Sequence, residues 1–248
     1  MKSIWHGVLL SFSYFSILPI GLKKMAMNKK VYASLLVAFP FVGFAIAFLS
    51  VLLFTVLKDF MPTMYCAIVS ACFYLVLYGF LHLEALSDVI DGYFASLSGK
   101  NVYEIMKEPQ VGALGAIGTA VFVLLKVSVI VFLLTQSKEE LFLAAVLFSR
   151  LGLIFGVFAF DFHKNSSFAL HLKETTSFKL VALAFVGYML LCYFVLDVAV
   201  LLFSFVAVFM MALILYALKK KFGFLNGDCL GASLEKTEWV LLNLGLFL

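Results

Sequence analysis

The chain has 248 residues, of which 65% are hydrophobic and only 13% charged, with a mean hydropathy of +1.13. A soluble domain carries about a quarter charged residues, so the composition excludes a soluble enzyme or a nucleic-acid-binding module and indicates an integral membrane protein. The net charge of +4 is small, and in such a chain the placement of charge tells more than its sum. Apolar runs of the length a membrane helix needs recur, without the short alternating pattern of a β-barrel. Cys66, Cys72, Cys192 and Cys229 are dispersed with no Cys-x-x-Cys pair, so neither a zinc site nor a disulfide framework is indicated. The expected fold is all-α: a polytopic integral membrane helix bundle of about seven spans plus short terminal segments, forming one membrane-embedded domain over 1–248.

In chain order, 4–20 is apolar and ends at Pro19 without a small-residue cleavage pattern, which predicts a short, uncleaved or re-entrant first segment. A lysine-rich stretch at 21–31 follows, with Lys23, Lys24, Lys29 and Lys30. The second span, 32–57, contains Pro40 and Gly43 and should kink there. The third span covers 62–83. Residues 84–111 are polar and read as a loop or interfacial helix. Spans four and five cover 112–135 and 141–160, and 161–178 is polar again. Spans six and seven, 179–196 and 198–218, are separated at Asp197 as a tight hairpin. Lys219, Lys220 and Lys221 open the last polar loop, and 237–248 is a final apolar half-span. Alternation gathers the loops 21–31, 84–111, 161–178 and 219–236 on one side with most lysines, and the positive-inside rule makes that side cytoplasmic.

The chain is organised around the stretch from Gly79 to Gly92. Glu84, Asp88 and Asp91 are spaced i, i+4, i+7, so a continuing helix carries all three on one face. Such a stripe repels itself unless a cation holds it. An oxygen-only donor set suits Mg²⁺, which usually completes its shell with substrate phosphates. The bland alternative is a solvated acidic helix end, but ionisable groups at the mouth of a membrane segment are functional candidates.

A second cluster lies at Asn226-Gly227-Asp228 and continues to Glu235 and Glu238. The glycines allow close approach to a ligand, and a helix capped near Asp228 would put the three acids on one face. Read blandly, it is a Gly-rich turn and a capped helix. Lys126 and Arg150 lie inside spans, where an unpaired cation is costly, so both are expected to face inward and find partners. Lys100 and Lys107 are candidate phosphate contacts or simple topology determinants.

The stretch from Gly79 to Gly92 resembles the Gly-x-x-His-Leu-Asp-Gly-Leu-Ala-Asp-x-x-Asp-Gly signature of the cobalamin synthase family, the adenosylcobinamide-GDP ribazoletransferases. The resemblance continues at Glu104-Ile-Met-Lys107, at Gly112 to Gly115, at Lys126, at Ser149-Arg150, and at Gly227-Asp228-Cys-Leu-Gly231-Ala232-Ser-Leu-Glu235. Leu18-Pro19 and Phe39-Pro40-Phe-Val-Gly43 are similar to its opening elements. The chain departs from the pattern at Glu84 for Asp, Ala85 for Gly, Glu108-Pro109-Gln110 for Asp-Ser-Arg, and Asn226 for Thr. Losing the arginine at Gln110 removes a bidentate phosphate contact.

The resemblance implies transfer of α-ribazole or its 5′-phosphate onto adenosylcobinamide-GDP, with release of GMP, at the cytoplasmic face of the cytoplasmic (inner) membrane. On that basis the expected metal ligands are Glu84, Asp88, Asp91 and Asp228, with Mg²⁺ as cofactor. Asp91, Asp228 and Glu235 are the catalytic candidates. His82, Asn101, Lys107, Lys126 and Arg150 are the candidates for substrate and phosphate contacts. Either Asp228 or Glu235 could complete a metal site or act as base. The two acidic clusters should converge, with Asp228 roughly 4 to 9 Å from Asp88 or Asp91 if metal bridges them. Two rival readings remain. Asp88-Val-Ile-Asp91-Gly92-Tyr-Phe-Ala95 is similar to the CDP-alcohol phosphotransferase motif, but Ser96 stands in place of its arginine, and Ile105, Pro109 and Ala113 in place of its downstream Gly and Asp residues. A non-enzymatic cation transporter would also place acids near spans, though nearer the midplane.

Overall fold

The computed structural model describes residues 2–20, 27–196 and 199–248, so Lys23, Lys24 and the Asp197 hairpin position lie outside the described residues. Among these residues there are eleven helices and no strand. Five helices are long and apolar enough to cross a membrane: α2 (Lys29–Leu57), α6 (Ala113–Thr135), α7 (Glu139–Ala159), α9 (Phe178–Val195) and α10 (Val200–Phe222). A sixth crossing is formed if α3 (Thr63–Leu77) and α4 (Leu81–Leu97) count as one bent span. The remaining helices are α1 (Lys2–Phe15), α5 (Val102–Ile105), α8 (Ser167–Thr175) and α11 (Gly227–Leu244). An all-helical, multi-pass membrane bundle of about the expected number of spans is therefore present.

The structure departs from the sequence reading most at two places. The third span does not run straight to residue 83. It breaks after Tyr78, where Gly79 and Phe80 are both left-handed (φ 69° and 59°), and α4 leaves at 81° to α3. A non-glycine residue in that region is strained by about 1–3 kcal/mol. One carbonyl freed at the break is satisfied by the short N-terminal segment, since Ile17 N donates to Leu77 O at 2.8 Å. Of the two forms expected for 84–111, a loop or an interfacial helix, the helix is found over most of its length, as the end of α4 and as α5.

The second departure is at the C-terminal end. The expected half-span at 237–248 is the latter part of α11, whose 18 residues extend about 27 Å. Asn226, not Asp228, caps it: the Asn226 side chain accepts from Cys229 N at 2.9 Å. The far end of α11 reaches the α6–α7 turn, where Lys138 Nζ donates to Gly245 O at 3.3 Å. Three acids and a lysine keep α11 out of the helices apolar enough to cross a membrane.

Helix α7 is buried almost throughout and is packed by α2, α10 and α11, whereas α9 leaves Leu183, Tyr193 and Phe194 exposed on its outer face. In a membrane that outer face meets lipid, so its exposure carries no penalty. Small residues set the closest helix approaches. A Cβ at Gly231 would lie 2.7 Å from the Ala85 Cβ, so α11 and α4 can touch only because that position is glycine.

Candidate active site

The bend at Gly79 and the start of α11 together build a cavity of about 520 Å³ at one end of the bundle. Helix α4 contributes His82, Glu84 and Asp88, the segment after α5 contributes Lys107 and Glu108, and α11 contributes Asp228. The two acidic clusters, separated by four spans in sequence, therefore line one space. The end of α1, the first half of α2, Leu153 of α7 and α8 with the segment leading into it complete the wall.

Asp228 is held by two donors on a single oxygen. Lys107 Nζ lies 3.2 Å from its Oδ2, and Asn226 Nδ2 donates to the same atom at 2.7 Å. Its Oδ1 is left for another partner. Asn226 thus both caps α11 and aims Asp228. Met106 closes over Gly92, where a Cβ would come within 2.7 Å of the Met106 Cε, and this latches the Lys107 segment onto α4.

The other candidates are placed elsewhere. Asp91 is turned to the start of α6, where its two oxygens accept from Gly112 N and Gly115 N at 2.8 Å each. It satisfies two of the four amides that a helix start leaves unpaired. Asp91 lines a second, smaller cavity of about 380 Å³ together with Lys100 and Gln110, and Asp88 and Glu108 belong to both cavities. Asn101 Oδ1 accepts from Tyr103 N at 3.1 Å and caps α5, outside the lining of either cavity.

Lys126, Arg150, Glu235 and Glu238 form a buried network in the bundle interior. Lys126 Nζ is 2.6 Å from Glu235 Oε2 and 2.7 Å from Glu238 Oε1, Arg150 pairs with Glu238, and the Tyr74 hydroxyl donates to Glu238 at 2.8 Å. Two cations balance two carboxylates, which is how such charges become tolerable away from water. Gly43 makes the room, since a Cβ there would lie 2.1 Å from the Arg150 Cδ. None of these four side chains lines the 520 Å³ cavity.

A family model described as cobalamin-5-phosphate synthase matches residues 7–246. The chain belongs to that family. Among curated relatives, an adenosylcobinamide-GDP ribazoletransferase of Clostridium botulinum (strain Langeland) is 26% identical over 244 residues, covering 98% of both chains. Relatives of the same name from Thermodesulfovibrio yellowstonii and Desulfitobacterium hafniense (strain Y51) are 26% identical over 245 residues and 32% over 217. They cover 94% and 84% of this chain, and 93% and 84% of their own. No solved structure matches.

In this family member, four carboxylates on the cavity wall, Glu84, Asp88, Glu108 and Asp228, face one lysine, Lys107. Such a wall repels a diphosphate unless a cation intervenes. Among the described residues no group of three or more His, Cys, Asp or Glu side chains could hold an ion by itself. Two carboxylates, Glu84 and Asp88, that leave the remaining positions to substrate phosphates nevertheless fit Mg²⁺. Sequence reasoning missed the aromatic part of the wall, Tyr14, Phe15, Phe39 and Phe168. With 29 phenylalanines in the chain, no spacing signal separates these from lipid-facing rings.

Proposed function

We propose that the chain joins α-ribazole, or its 5′-phosphate, to adenosylcobinamide-GDP with release of GMP, at the cytoplasmic face of the cell membrane. The observation that carries this reading is the convergence of Glu84 and Asp88 from α4 with Asp228 from α11 around one cavity that also holds Lys107. Membership of the family and the names of its relatives support the same reaction.

In that reaction a ribose hydroxyl attacks the phosphorus nearer cobinamide. A P–O bond forms to the riboside, the P–O bond of the diphosphate bridge breaks, and the electron pair leaves on GMP. The hydroxyl proton needs an acceptor. Asp228 is fixed by Lys107 and Asn226 through Oδ2, which leaves Oδ1 directed to that task. Lys107 is half exposed on a short tether, so it can exchange Asp228 for a phosphate oxygen as the substrate enters. Glu84 and Asp88 would hold Mg²⁺, which when bound would neutralise phosphate charge and polarise the attacked phosphorus. Asp91 holds α4 against the start of α6, and the network of Lys126, Arg150, Glu235 and Glu238 holds α11 in register, so these residues support the site from behind.

A cation path through the bundle is not favoured, because the interior carboxylates Glu235 and Glu238 are already paired with Lys126 and Arg150. The test is GMP release by the purified full chain, in detergent or vesicles, from adenosylcobinamide-GDP and α-ribazole, with and without Mg²⁺. Release that requires both substrates and stops on chelation is expected. Transfer from a CDP-alcohol instead, or ion flux without any transfer, overturns the reading.

A further inference from the structure

The cavity has two chemically different halves. One is made of the carboxylates and Lys107, and the other is a continuous run of rings. Phe168 of α8 stacks on Tyr14 of α1, with centroids 4.8 Å apart and planes at 20°. Tyr14 meets Phe15 edge-on at 4.9 Å, and Phe15 lies 4.2 Å from Phe39 of α2. The His82 ring is stacked 6.0 Å from Phe15 and sits on α4, on the same helix as Glu84 and Asp88. Helices α1, α2, α4 and α8 thus lay rings along one wall beside the acidic residues.

The short helices α1 and α8 contribute Tyr14 and Phe168 to this wall, both only partly covered. A volume of about 520 Å³ is in the range of pockets that enclose one compact organic ligand. A riboside, a flat base on a sugar, matches both that size and the layout of rings beside polar groups. A corrinoid macrocycle with its amide side chains has several times as many atoms and does not fit in the same space.

Resting on the ribazoletransferase reading, we propose that the aromatic half of this cavity is the acceptor site. It takes the flat heteroaromatic base of the riboside against Tyr14 and Phe168, with the ribose directed towards Asp228. The corrinoid of the other substrate stays outside and presents only its diphosphate to the acidic half. Tyr14 and Phe168 thereby determine recognition of the acceptor and not of the donor.

The test uses the full chain in detergent micelles and two separate readouts. Equilibrium binding of α-ribazole is measured without corrinoid, by calorimetry or by the fluorescence of the base, and KM is then measured for each substrate. Stacking of one base on one ring is worth on the order of tenfold in affinity. Tyr14→Ala and Phe168→Ala should each weaken riboside binding about tenfold and raise its KM alike, while the KM for adenosylcobinamide-GDP stays within about twofold; Phe168→Trp should restore binding. If the donor KM rises instead, if neither substitution affects riboside binding, or if the unaltered chain binds no riboside, the assignment is overturned. The two readings fail separately. Riboside binding that depends on Tyr14 and Phe168 without any GMP release sinks the reaction and keeps the acceptor site. GMP release with riboside KM untouched by either substitution does the reverse.

Discussion

Lys107 Nζ lies 3.2 Å from Asp228 Oδ2, a link between residues 121 positions apart at the exposed edge of the cavity. The lysine side chain is about half exposed, and exposed pairs of this kind contribute only about 0–1 kcal/mol to stability. Lys107→Ala should therefore leave the melting temperature within about 3 °C. The same change removes a charge-assisted contact to the diphosphate, and the KM for the corrinoid donor should rise roughly tenfold or more. Steady-state kinetics beside a thermal melt separates the two effects, and an unchanged donor KM would remove Lys107 from phosphate binding.

Asp88 and Asp91 are three residues apart on α4 yet should respond oppositely to substitution. Asp91→Ala strips two acceptors from the start of α6 and should cost about 1–3 kcal/mol of stability. Asp88→Asn removes one of several mutually repelling carboxylates and should abolish turnover with little loss of folded protein. Yield and melting temperature of the two variants, with GMP release, make the comparison. An active Asp88→Asn protein would rule out its part in metal binding.

The interior network predicts a non-additive pair. Lys126→Met leaves Glu235 without a cation, and breaking a buried pair from one side typically costs about 3–5 kcal/mol. Adding Glu235→Gln to that variant removes the stranded charge, so the double variant should be more stable than Lys126→Met alone. Chemical unfolding in micelles reads this directly. Equal or greater loss in the double variant contradicts the charge-balance account.

The cavity side of the bundle is expected to face the cytoplasm, because the loops at that end carry most of the lysines. Single cysteines at Ser98 and Lys138, in a background without Cys66, Cys72, Cys192 and Cys229, lie at opposite ends of α6. A membrane-impermeant thiol reagent added to intact cells should label the Lys138 position and spare the Ser98 position. The opposite pattern inverts the topology.

Much of the bundle was legible from the sequence because membrane helices obey a local rule: a long enough apolar run must hydrogen-bond to itself. The boundaries of α2, α6, α7, α9 and α10 follow from that rule. Glu84, Asp88 and Asp228 stood out because charge in such a chain is rare. The break at Gly79 and Phe80 escaped notice, since a lone glycine in an apolar run also fits an unbroken helix, and here the conformation is held by Ile17, sixty residues earlier. Helix α11 was shortened to a half-span because its acids look prohibitive until the partners that neutralise them are known.

The sequence by itself determined the class of molecule and the set of carboxylates and cations available for chemistry, because composition and period are properties of neighbouring residues. The division of labour within that set was decided only by tertiary structure. Asp91 and Asp88 share one helix, but the start of α6 takes the first and leaves the second to the cavity. Glu235 and Asp228 share another, but Lys126, 109 positions away from Glu235, binds it in the interior, while Asp228 remains at the cavity with one oxygen unengaged. Which charge meets which is a property of chain segments brought together from far apart, and the low dielectric of the bundle makes each such meeting decisive for the role a residue can take.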